Sequence, residues 1–206
     1  MKTKRNKFFF NGFSVVELLV VISIISFITL TVLIKYPRIS SKQAVDKAAR
    51  FAAVSIREAQ TRAMSIKEGP AGNFPAYGLH FDLLSPKEMA LFADSDLNCS
   101  LSTPLNCKYE ALGDQIVETR QTQSIAQAVE LCGNRKFGSG IDCGLQIADI
   151  VFLRPTPTVF LQGSVDGINY AEYADIEIIF NAQGSDNALK KVVGITQSGQ
   201  IFIEDY

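Results

Sequence analysis

The chain has 206 residues, enough for one medium domain with an appendage. Its net charge is −1, yet Lys2, Lys4, Arg5 and Lys7 put four positive charges into the first twelve residues and leave −5 for the rest. An acidic remainder argues against general nucleic-acid binding, which needs clustered Lys and Arg.

Residues 13–34 form an apolar run whose single charge is Glu17. A helix of that length spans about 33 Å, enough for a hydrocarbon core of roughly 30 Å. The basic leader before it is expected to stay in the cytoplasm, which places the C-terminal bulk outside the cell membrane. Lys35, Tyr36 and Arg38 then fall at the far interface, where long cations and aromatic rings settle. The run is too long for a secretory signal core, and "IKYPRISS" offers no small-x-small cleavage site. A plain signal anchor fits the length but leaves Glu17 unexplained. A carboxylate at mid-membrane costs roughly 2.5–3.5 kcal/mol on insertion scales, less near an interface, so it points to a function with a partner.

The stretch "NGFSVVELLVVISIISFITLTVLI" resembles the N-terminus of type IV prepilins and type II secretion pseudopilins. The family has a short basic leader ending in Gly, then an aromatic residue, then Glu as the fifth mature residue inside an apolar helix. Gly12, Phe13 and Glu17 match with the correct spacing. The resemblance implies cleavage between Gly12 and Phe13 by a membrane prepilin peptidase on the cytoplasmic side, and N-methylation of Phe13. Cleavage creates an α-amine at Phe13, one helical turn from Glu17. In a filament of packed helices Glu17 can pair with the α-amine of a neighbouring subunit. Low dielectric strengthens that attraction and makes either unpaired charge costly, so the pair would set subunit register. The resemblance also implies other pilin or pseudopilin subunits and an inner-membrane assembly platform as partners. The chain has no phosphate loop, so a separate cytoplasmic ATPase would drive assembly.

Pro37 lacks a backbone donor and disfavours helix at Tyr36, so a kink or brief interruption is expected there. A second helical pattern covers residues 40–68. Val45, Ala48, Ala52, Ile56, Ala59, Ala63 and Ile66 recur every three or four residues as one apolar stripe. Lys42, Asp46, Lys47, Arg50, Arg57, Glu58, Arg62 and Lys67 lie mostly off it, and Gly69-Pro70 is expected to stop the helix. From Phe74 onward come short β-like runs: "YGLHFDLL", "MALFAD", "DQIVETR", "IADIVFLR", "TVFLQG", "YADIEIIFNA", "LKKVVGITQ" and "GQIFIEDY". "AQGSDN" reads as a hairpin connection and "SGQ" as a tight turn into the last strand. One long N-terminal helix, membrane-spanning then amphipathic, packed on an antiparallel β domain is an α+β arrangement. The expected layout is a leader over 1–12, a membrane helix over 13–34, an amphipathic helix over 35–69 and a β-rich domain over 70–206. This order, and the ending "KKVVGITQSGQIFIE", resembles minor pseudopilins and minor pilins with a C-terminal β domain.

Four cysteines stand at 99, 107, 132 and 143, with no Cys-x-x-Cys pair to suggest zinc. An exported chain with an even count favours disulfides; of the three possible connectivities, the sequence-local Cys99–Cys107 with Cys132–Cys143 is preferred because short loops cost least to close, and free buried thiols are the alternative. His80 is the sole histidine, in "YGLHFD", and reads as a structural or surface residue. No nucleophile elbow, P-loop, zinc-protease or dinucleotide fingerprint occurs, and paired cysteines would remove a Cys–His nucleophile. A non-enzymatic protein without a cofactor is expected. Asp94, Asp96 and Asn98 in "DSDLN" open like a calcium loop, but Cys99 and Leu105 stand where a glycine and a bidentate Glu should be. Glu110 or Asp114 would have to complete a different site. A plain polar turn is the simpler reading. Lys190 and Lys191 are the one basic pair near the acidic C-terminus, which argues against a DNA-uptake role.

Overall fold

The computed structural model describes residues 14–65, 76–94, 99–122, 125–137, 140–153, 158–183 and 189–206. The chain divides into two units, Met1–Ile39 and Ser40–Tyr206. One α-helix, α1 (Val15–Met64), is followed by ten strands: β1 (Tyr77–Asp82), β2 (Glu88–Ala93), β3 (Gln115–Gln121), β4 (Ala126–Arg135), β5 (Ile141–Cys143), β6 (Ile147–Leu153), β7 (Thr158–Ser164), β8 (Tyr170–Ala182), β9 (Lys191–Thr196) and β10 (Ile201–Asp205). The class is α+β.

In the first unit, residues 15–33 are exposed on every side. The segment satisfies its hydroxyls internally: Ser23, Thr29 and Thr31 donate to the carbonyls of Val20, Ile25 and Ile28. Of the kink or brief interruption expected at Pro37, the interruption does not occur, because α1 is helical through it. Proline removes one donor, a cost of about 3 kcal/mol, and helix propagation on both sides restores the ladder beyond it. The helix ends at Met64, short of the expected Gly69-Pro70 stop, with Ser65 closing its last turn by bonds to the Thr61 and Arg62 carbonyls. Ile66, Lys67, Gly69 and Pro70 lie outside the described residues.

In the second unit the apolar stripe faces the sheet as its spacing requires. Val45, Ala48, Ala52, Ile56, Ala59 and Ala63 are buried, widened by Ala44, Ala49, Ala53 and Ser55. They share one core with Leu79, Phe81, Leu91, Leu131, Ile150, Leu161, Ile176, Ile178 and Phe180. Alanine has almost no side chain to hold the helix off, so backbone and sheet approach closely. The off-stripe charges stay accessible; Arg50 pairs with Asp46, and Arg62 with Glu58.

All strand pairs are antiparallel, in the order β10-β9-β8-β7-β6-β1-β2-β3, with β4 between β5 and β8. The long β8 pairs with β7 through its first residues and with β4 and β9 through the rest. Ile176, Ile178 and Phe180 face the main core, while Ile179 packs with Cys132 and Val192 on the opposite face. Buried Tyr173 sits where side chains at Gly133 and Gly163 would collide with it, and its hydroxyl donates to Asp142. The turn into β10 needs Gly199, whose φ of +79° L side chains avoid; its amide donates to the Thr196 carbonyl.

Candidate functional site

The first candidate is the exposed helical segment Val15–Leu33, which is long and apolar enough to cross a membrane. Glu17 lies in the first turn of α1, and the Leu18 amide donates to the Ser14 carbonyl. Ser14 therefore occupies the N-cap position and Glu17 the N3 position, the Ser-x-x-Glu spacing of a capping box. The positive end of the helix dipole favours a carboxylate there. The sequence carried this signal in "SVVE", masked by the apolar run around it. Gly12 and Phe13, the expected processing pair, lie outside the described residues.

The second candidate is a polar row on the outer face of the sheet. His80 stands opposite Asp149, and Asp149 opposite Gln162, on adjacent strands β1, β6 and β7. Directly opposed residues point to the same side of a sheet. His80 Nδ1 lies 2.6 Å from Asp149 Oδ1, and the Asp149 side chain is fully buried. Burial works against the imidazolium, but the Asp149 carboxylate, with Asp82 behind it, prevails and holds the His80 pKa above its ordinary value. Residues 99–114 cover the row. The Tyr109 ring lies 4.7 Å from the His80 ring and 5.3 Å from Phe92, between centroids. The Gln162 amide donates to the Pro104 carbonyl, and Lys108 stands over the Tyr170 ring. Asp149 Oδ2 and Gln162 Oε1 are buried with no donor among the described residues. His80 is thus a half-buried structural member of this row.

The cysteines form Cys99–Cys107 and Cys132–Cys143, the sequence-local pairing. No free thiol remains for a Cys–His nucleophile. Among the described residues the one grouping with metal-ligand geometry, Glu130 with Cys132 and Cys143, has its sulfurs in a disulfide, a chemistry that leaves no thiolate to bind. The calcium-loop residues are split: Asp96 and Asn98 lie outside the described residues. Buried Asp94 accepts the Cys99 amide, and Asp114 accepts the Glu110 amide. These carboxylates are used to shape the disulfide-bridged loop. The basic pair is likewise engaged, Lys191 with Asp46 and Asp205 and Lys190 with Glu130. Compared with family models, curated proteins and solved structures, the chain matches none of them.

Proposed function

We propose that this protein is a non-enzymatic structural subunit of a type IV filament or type II secretion machine, of the minor pseudopilin or minor pilin kind. The observation that carries the reading is a carboxylate, Glu17, at the start of a fully exposed apolar helix, five residues into the chain that cleavage after Gly12 would release. In this reading the pre-protein inserts with its basic leader inside. A prepilin peptidase cuts before Phe13, and the apolar helix moves from lipid into a bundle of neighbouring helices. Glu17 then accepts the Phe13 α-amine of the next subunit, while the β domain stands outside the membrane. The Ala-lined second half of α1 supports the reading, because it packs that part of the helix closely on the β domain.

Glu17→Ala tests it. The variant is expected to be cleaved normally but to drop at least tenfold in the sheared filament fraction, since removing one partner of a buried ion pair leaves the other charge uncompensated. Unchanged incorporation would overturn it. The capping spacing of Ser14 and Glu17 favours one second reading: a membrane-anchored binding domain that never polymerises, in which Glu17 only starts the helix. That reading expects no cleavage at Gly12.

A further inference from the structure

We infer that residues 99–114 form a pH-dependent latch, held against the outer sheet face by the His80–Asp149 pair and released as the pH rises. The inference is independent of the filament reading. Asp149 is a fully buried carboxylate with one oxygen on His80 and the other without a donor among the described residues. A buried charge is tolerated when an opposite charge and hydrogen bonds accompany it, and is costly otherwise. The row continues across β8, where Glu172, paired with Lys136, stands opposite Gln162. β1 adds Asp82, a second negative charge beside His80. β6 supplies Asp149 itself, β2 presents Phe92, and β7 presents Gln162. β8 contributes Tyr170, whose phenol is pushed far above its ordinary pKa by burial and by Asp149, Asp82 and Glu110. The loop brings Tyr109, and Lys108 with its own carboxylate neighbour Glu110 at 3.9 Å. His80 is therefore the cation in direct contact with Asp149.

When His80 loses its proton its Nδ1–H can still donate to Asp149, but the buried carboxylate loses its opposite charge and keeping it covered becomes more costly. The cover over it is the loop carrying Tyr109, Lys108 and Pro104, so that cover lifts. Protonated His80 also attracts the Tyr109 ring face, and that attraction goes with the proton. The sign follows from linkage. A histidine whose closed-state pKa is raised stabilises the closed loop fully below about pH 6.5, and loses that contribution as the pH climbs through the raised value. The loop carries exposed Leu101, Leu105 and Leu112, so its release changes the surface offered to partners.

The test is hydrogen exchange by mass spectrometry on the full chain in detergent micelles, from pH 5 to 9, corrected for intrinsic exchange. Opening of residues 104–112 is expected to rise by up to about tenfold per pH unit above 6.5 until His80 is neutral. His80→Gln is expected to be open across the range. Asp149→Asn removes the buried charge and is expected to be closed across the range. With a single histidine in the chain, one carbon-labelled imidazole signal reads its titration directly: raised in the wild type, no longer raised in Asp149→Asn. Loop protection independent of pH, or an Asp149→Asn profile matching the wild type, would overturn the latch.

Discussion

At the residue scale, Glu17 has two separable roles, starting a helix and offering a charge. Ser14→Ala removes a capping side chain and costs about 1 kcal/mol at the helix start. On the filament account it leaves subunit incorporation near normal. Glu17→Gln keeps the shape at N3 and removes the charge, and is expected to lose incorporation as Glu17→Ala does. Shear fractions from the two variants measure this, and equal losses would mean that the cap rather than the charge matters. Glu17 was legible because a lone carboxylate in an apolar run is conspicuous. The His80–Asp149 contact was not, because 69 residues separate the two in the chain and strand register alone joins them.

At the element scale, α1 is fixed to the sheet by apolar burial, by the Lys191–Asp46 ion pair and by a more buried polar lock. Arg120 of β3, nearly buried, donates to Ser55 and Glu58 of α1 and to Glu118 of its own strand. Ile56→Ala is expected to cost about 2–4 kcal/mol, because the packed core cannot fully collapse onto the lost side chain. Arg120→Ala is expected to cost about 1–3 kcal/mol by removing the donor to buried Ser55 and leaving Glu58 with Arg62 alone. Chemical denaturation measures both. Arg120, then Arg62, holds the Glu58 carboxyl below its usual range. This stabilisation is present above about pH 4.5 and is lost as the pH falls through the lower folded value, and Glu58→Gln should remove that acid-side dependence. The alanine stripe made α1 readable, and alternation made eight strands readable. β4 escaped because Gly133, Glu130 and two register shifts break its period of two, and β5 because it has three residues. Pro37 does not interrupt α1, since the helix on both sides carries it.

At the scale of the whole molecule, the two disulfides join cysteines 8 and 11 residues apart, one within the loop that covers the polar row and one across β4 and β5. Replacing Cys132 and Cys143 together by Ala is expected to cost about 2–3 kcal/mol, or roughly 5–10 °C in Tm for a domain of this size. Scanning calorimetry with intact Cys99–Cys107 measures it. The α+β class and the cysteine pairing were legible because composition and loop length constrain them. The strand order was not, since β4 reaches β8 over a long sequence interval and pairs with β5 only locally.

Processing at Gly12 separates a filament subunit from an anchored domain. Intact mass and N-terminal sequencing of the protein, made together with its own prepilin peptidase, read it directly. The account predicts a mature chain beginning with methylated Phe13. A chain that still begins at Met1 would contradict it and leave an anchored domain in which Glu17 serves the helix start alone.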